Sequence, residues 1–212
     1  MRKRIVFSAF AFAIVWSTAV VFAQDQATAP SFKEGDTWQF NIVRKGGIAS
    51  STEFNEGIYE LSFTQGKVKL FEVSGNQKNE IEVKPDGPTQ SLLTLVGKSE
   101  QSATLKFPFS VGQKWTYDYV TRPAGQIRDQ NRSVEVNVAG VEQITTPAGS
   151  FKAYKLVRTE SWSAGKRGNR QGGQMVTYFY SRETRSIVKL SSESEGSGAS
   201  IETELIKFTP GP

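Results

Sequence analysis

The side chains that most often carry nucleophilic or acid–base chemistry at neutral pH are missing from this chain. Its 212 residues include no histidine and no cysteine, which excludes a Ser-His-Asp triad, a thiol nucleophile and a Cys/His zinc site. Proton transfer near pH 7 would require a carboxylate, lysine or tyrosine with a perturbed pKa. We therefore favour a non-catalytic protein with no cofactor and no bound metal, and an enzyme stays open as the alternative.

Two carboxylates near tryptophans are the main candidates for such enzyme chemistry. Asp36 precedes Trp38, and Asp118 follows Trp115. A glycosidase-type reaction needs two acids roughly 5–10 Å apart across a cleft, and the sequence does not set that distance. The alternative function is accordingly a carbohydrate-active hydrolase or lyase that uses carboxylate or tyrosine side chains.

A basic, glycine-rich segment at residues 164–173 supplies the candidate binding residues. Lys166, Arg167 and Arg170 lie among four glycines, and Trp162 stands just before the segment. Such a loop is flexible by composition and would suit anionic envelope polymers or lipid phosphates. We predict these four residues as ligand- or partner-binding residues, and the competing interpretation is a solvated hairpin tip.

The N-terminal residues have the composition of an export signal. Arg2, Lys3 and Arg4 precede an apolar run over residues 5–16, and a small residue, Ala23, precedes Gln24. We predict a cleaved signal peptide at 1–23, a linker at 24–31 and a periplasmic or secreted location. The competing interpretation is an uncleaved membrane anchor. No cysteine is present to accept a lipid, and we expect no transmembrane segment after the signal.

The charge balance narrows the class of partner. Loss of three basic residues with the signal lowers the formal net charge from +5 to +2, and residues 108–212 carry a net charge of +4. Any attraction for anions therefore belongs to the second half. We expect no nucleic-acid binding, and the expected partner is an envelope lipid, a polysaccharide or a protein.

The sequence contains one pattern twice. Phe32-x-x-Gly35-x-x-Trp38-x-Phe40 recurs 77 residues later as Phe109-x-x-Gly112-x-x-Trp115-x-Tyr117. The match continues at offsets of 83, 95 and 101 residues, and each increase falls in a turn-rich segment, where insertions are tolerated. We predict a tandem duplication, with β repeats at 32–107 and 108–208 and a tail at 209–212. Both tryptophans are expected in the core, although they could instead line a ligand cleft.

Apolar and polar residues alternate within each copy, which is the period of a half-buried strand. Trp38, Phe40 and Ile42 share one face, and Ser91–Val96 is among about six strands predicted per copy. Turn residues separate neighbouring strands, so antiparallel pairing is expected. The predicted fold is all-β and antiparallel, a duplicated unit of roughly six strands that forms curved sheets or a half-barrel.

The second copy resembles a family of exported bacterial proteins. The residues that carry the resemblance are Gly112-x-x-Trp115-x-Tyr117, Val138-x-Gly140-x-Glu142, Thr146-Pro147-Ala148-Gly149-Ser150-Phe151-x-Ala153 and Tyr178-x-Tyr180. They are similar to domain of unknown function 3108 and its relatives, which implies an uncharacterised envelope β domain without assigned catalytic residues. The leading prediction is an exported, non-catalytic envelope protein. It would bind an apolar or polymeric component, or a protein partner, on the concave face of its sheet.

Overall fold

The computed structural model describes residues 26–45, 56–83, 92–97, 104–121, 129–164, 170–194 and 200–212. Antiparallel strands make up nearly all regular structure in these ranges, which confirms the predicted all-β fold. The strands are β1 Gln26–Ala27, β2 Thr37–Lys45, β3 Gly57–Thr64, β4 Lys67–Ser74, β5 Gln77–Ile81, β6 Phe109–Ser110, β7 Lys114–Thr121, β8 Gln130–Thr146, β9 Gly149–Ala164, β10 Arg170–Ser181, β11 Ser186–Ser194 and β12 Ser200–Thr209. The predicted signal peptide lies outside the described residues.

Ten strands form one open, curved sheet. Their order is β5-β4-β3-β2-β12-β11-β10-β9-β8-β7, and β1 pairs separately with β6. The turn between β8 and β9 reaches across to β12, where the backbone N–H of Ala148 donates to the carbonyl of Leu205 at 3.3 Å. Because β9, β10 and β11 lie between β8 and β12 in the sheet, this contact requires the sheet to curl. The buried side chains line the face that the curl encloses, which we term the inner face.

Both repeated tryptophans belong to the core, as predicted. Trp38 is fully buried and Trp115 is 9% exposed. The indole N–H of Trp38 donates to the carbonyl of Thr184 at 2.6 Å, and its ring packs edge-on against Phe32. A buried indole whose N–H has a partner is a structural element, so these two rings are covered by protein.

The repeated glycines make the same turn in both places. Gly35 and Gly112 each have a φ of +86°, a conformation that side chains with a Cβ rarely adopt. The N–H of Gly35 donates to Phe63 at 2.9 Å, and that of Gly112 donates to Val138 at 2.8 Å. The pattern shared in sequence therefore has one local geometry. The duplication of whole units stays a prediction.

One predicted strand is wrong. Residues Thr94–Val96, within the strand predicted at Ser91–Val96, form a turn of 3-10 helix. Gly97 ends this turn in the left-handed region with a φ of +67°, and its N–H donates to Thr94. Leu95 and Val96 are fully buried. A short, continuously apolar run is compatible both with a buried strand and with a buried helical turn. The sequence pattern therefore does not distinguish the two.

Candidate functional site

A cavity of about 880 Å³ opens at one end of strands β7, β8, β9 and β10. One residue from each strand lies in a single cross-strand row on the inner face: Tyr119 pairs with Arg132, Arg132 with Trp162, and Trp162 with Gly172. All four line the cavity, and the remaining lining residues are Asp118, Val120, Asn131, Ser133, Ser161 and Ser163. On the inner face the lining thus combines two aromatic rings and one guanidinium, and the residues on either side of them alternate to the other face of the sheet.

The indole of Trp162 is held in place by the glycine beside it. A Cβ added to Gly172 would lie 2.5 Å from Cε2 and Cζ2 of Trp162 and 2.6 Å from Nε1. The ring therefore occupies the space above the Gly172 backbone, as aromatic residues do when they cover a cross-strand glycine. Any residue other than glycine at 172 would displace the ring, so Gly172 sets the orientation of Trp162 in the cavity wall.

A charged cluster extends from Tyr119 and Arg132 of this row into the protein. The carboxylate of Glu160, which is 1% exposed, forms ion pairs with the guanidinium groups of both Arg132 and Arg158. The hydroxyl of Tyr119 donates to the same carboxylate at 3.1 Å, and Arg158 donates to the Tyr117 hydroxyl at 3.4 Å. We term Glu160, Arg132, Arg158, Tyr117 and Tyr119 the charged cluster.

The groups around Arg158 keep it charged. Burial on its own lowers the pKa of Arg158, but the negative charges that Tyr178 and Glu160 can carry act in the opposite direction, and the net pKa is raised. Arg132 also donates from Nη2 to Oε1 of Gln130 at 2.9 Å. Glu160 and Gln130 thus fix the guanidinium of Arg132 where it lines the cavity.

Of the four predicted binding residues, Trp162 is the one whose side chain the structure describes, and it lines the cavity. Lys166 and Arg167 lie outside the described residues. Arg170 is the first residue of β10, and its backbone pairs with Ala164. The structure does not describe its side chain. The binding role of all four stays a prediction.

The two candidate carboxylates have different surroundings. Asp118 is exposed and is the one acid among the described residues that line the cavity. Asp36 is fully buried, does not line it, and accepts hydrogen bonds from Arg185, from the N–H of Gly211 at 2.8 Å and from the N–H of Lys33 at 2.7 Å. Asp36 therefore anchors the C-terminal residues. The described residues contain no group of three acids that could hold a metal ion.

The charged cluster was missed at the level of sequence, although a signal for it exists. Along β9, Leu156, Arg158, Glu160 and Trp162 occupy alternate positions, and Leu156 is fully buried. Arg158 and Glu160 therefore occupy positions of β9 that point toward the core, as Leu156 does. Ionic residues at inward positions indicate a buried ionic network or a site.

No protein-family model and no curated protein matches the chain. Three solved structures are similar to it at a distance. A candidate lipoprotein of Parabacteroides distasonis is 12% identical, with a TM-score of 0.44 over 88% of this chain and 100% of that one. The hypothetical lipoprotein YmcC of Escherichia coli is 12% identical, with a TM-score of 0.42 over 84% and 85%. A candidate exported protein of Bacteroides fragilis with a YmcC-like fold is 11% identical, with a TM-score of 0.39 over 86% and 99%.

The resemblance to domain of unknown function 3108 stays a prediction, since no family model matches. Within the part of the chain that the structure describes, no helix has the length and apolar character needed to span a bilayer.

Proposed function

We propose that this protein is a non-catalytic component of the bacterial cell envelope that binds a polysaccharide in the cavity at the end of β7–β10. The observation that carries the proposal is the indole of Trp162, fixed over Gly172 beside the Tyr119 ring and the Arg132 guanidinium. The predicted signal at 1–23 supports the envelope location.

The chemistry of the lining favours a sugar over an apolar chain. A sugar ring has C–H groups on its faces, which pack on aromatic rings, and hydroxyls at its edge, which need polar partners. Tyr119 and Trp162 supply the former contact, and the guanidinium of Arg132 and the hydroxyl of Tyr119 supply the latter. An acyl chain would remove these polar groups from water without replacing their hydrogen bonds, which is unfavourable. The cavity also lies within the range of known ligand sites, roughly 300–1,000 Å³.

Titration calorimetry with soluble glycans tests the proposal. Dextran, oligogalacturonate and peptidoglycan fragments would be added to the purified protein, and we expect saturable binding of at least one. Trp162→Ala removes the stacking surface and is expected to weaken binding by about tenfold or more. Met175→Ala is the matched control, because Met175 is exposed on β10 and does not line the cavity.

The outcomes separate the alternatives. Binding that survives Trp162→Ala unchanged would place the ligand elsewhere and overturn the proposal. Binding of a fluorescent fatty acid without binding of any glycan would favour an apolar ligand instead. Release of reducing ends from a bound glycan would favour the hydrolase, with Asp118 as its first candidate acid.

A further inference from the structure

We infer that the polysaccharide bound in this cavity is acidic and that Arg132 binds its carboxylate. The inference rests on the proposed function, since it concerns the same cavity, but it adds a property that a neutral glycan would lack. It identifies Arg132 as the residue that sets specificity, whereas Trp162 supplies a stacking surface that any sugar could use.

The first support is the charge within the charged cluster. Two guanidinium groups, those of Arg132 and Arg158, converge on the carboxylate of Glu160, so cationic side chains outnumber acidic ones within the charged cluster. The exposed fractions of the three side chains are 17%, 11% and 1%. Cationic side chains concentrated at one end of a cavity attract anions to it.

The second support is the position of Arg132. It is the most exposed of the three ionic side chains and the one that lines the cavity. Its bonds to Glu160 and Gln130 fix the plane of the guanidinium before any ligand arrives. A fork of donors fixed in this way suits a planar carboxylate, and pre-organisation lowers the entropy lost on binding.

The third support is the spacing between the charge and the ring. Arg132 and Trp162 are directly paired across β8 and β9, and side chains paired in this way have Cβ atoms roughly 4.5–5.5 Å apart. A sugar ring stacked on Trp162 would thus have its substituents within reach of Arg132. A uronic acid carries a carboxylate on the ring itself, which matches this spacing.

Asp118 is the acid among the described lining residues that acts against an anion here. It is exposed, and water and salt therefore screen its charge more than they screen the buried cluster. Asp118 lies on the opposite face of β7 from Tyr119, because neighbouring residues in a strand alternate. Asp118→Asn is expected to strengthen binding of an acidic glycan slightly.

The test compares trigalacturonate with its fully methyl-esterified form, which has the same sugar rings and no charge. We expect the wild-type protein to bind the acid about tenfold more tightly than the ester, and this preference to shrink as salt is added. Arg132→Gln should abolish the preference, and Arg132→Lys should keep part of it. Lys114→Gln removes an exposed positive charge from the start of β7 and is expected to leave the preference intact.

Each variant supplies its own reference, because the ratio of acid to ester binding does not depend on the fraction of folded protein. An ester bound as tightly as the acid by the wild-type protein would overturn the inference and leave the proposed function standing. A preference retained by Arg132→Gln would also overturn it. If neither form binds and no other glycan does, the proposed function itself fails.

Discussion

At the scale of single residues, Glu160 holds the charged cluster together. Its carboxylate is buried and pairs with two arginines. Removal of one partner from a buried ion pair leaves the other charge without compensation, which costs about 3–5 kcal/mol. Glu160→Gln keeps the shape but loses the charge, and we expect the free energy of unfolding, measured with urea, to fall by about this amount.

Glu142→Gln is the control for that substitution. Glu142 pairs with Lys155 at 3.1 Å on the neighbouring part of β8 and β9, but both side chains are substantially exposed. An exposed ion pair contributes about 0–1 kcal/mol. Equal losses in the two variants would show that Glu160 is not the centre of a buried network.

The sequence predicted some residues of the site and not others for a physical reason. Trp162 could be selected because a tryptophan beside a basic, glycine-rich segment is conspicuous in a single sequence. Arg132 and Glu160 lie 28 residues apart, and only the register of β8 against β9 brings them together. The contact depends on which residues pair across strands, and composition does not specify that register.

At the scale of elements, the turns at Gly35 and Gly112 are predicted to be energetically equivalent. Both glycines have a φ of +86°. A Cβ at Gly112 would meet no atom within 4 Å, and one at Gly35 would meet atoms at the ordinary distance of 3.6 Å. Backbone strain alone should therefore make Gly35→Ala and Gly112→Ala each cost about 1–2 kcal/mol of unfolding free energy.

The control is Gly140→Ala, at the bulge of β8. Gly140 lacks a positive φ, and an added Cβ would meet nothing within 4 Å. We expect a change within about 0.5 kcal/mol, as for an ordinary surface substitution. A large cost at Gly35 with none at Gly112, measured by thermal unfolding, would contradict the equivalence of the two turns.

The strands could be predicted from the sequence where one face of the strand is buried and the other is exposed to solvent. In β2 the alternation of Trp38, Phe40 and Ile42 with polar residues matches the buried positions of the structure. The run at residues 92–96 has no such alternation, and there tertiary packing decides the outcome in favour of a helical turn. Alternation also does not fix the sheet order, since the contact between β2 and β12 joins distant parts of the chain.

At the scale of the whole molecule, buried tyrosines predict a loss of stability in alkali. Burial raises the pKa of Tyr180, although Arg182 and Arg185 act against it. Burial also raises the pKa of Tyr59, and Glu72 adds to the effect. In the unfolded chain a tyrosine loses its proton near pH 10, whereas these two keep theirs to higher pH in the folded protein.

The sign of this dependence follows from proton linkage. The stability contributed by these groups is fully present below about pH 10 and is lost as the pH rises above it, because the unfolded state then binds fewer protons. We expect the free energy of unfolding, measured with urea between pH 9 and 11, to fall less steeply in Tyr180→Phe. If the free energy of unfolding fell with pH equally steeply in the wild-type protein and in Tyr180→Phe, the raised pKa of Tyr180 would not be a cause of the alkaline loss of stability.

The two ends of the sheet differ in character. One end carries the glycine turns and the buried Asp36, which binds Arg185 and Gly211. The other end, at β7–β10, carries the cavity and the charged cluster. We therefore assign stability to the first end and propose ligand binding at the second.

Hydrogen–deuterium exchange of the purified protein, with and without oligogalacturonate, tests this assignment most directly. We predict that the ligand slows exchange at the cavity ends of β7, β8, β9 and β10, around Tyr119, Arg132, Trp162 and Gly172, and leaves β3, β4 and β5 unchanged. Protection centred on β3–β5, or the same protection in Trp162→Ala, would contradict the claim that this cavity is the binding site.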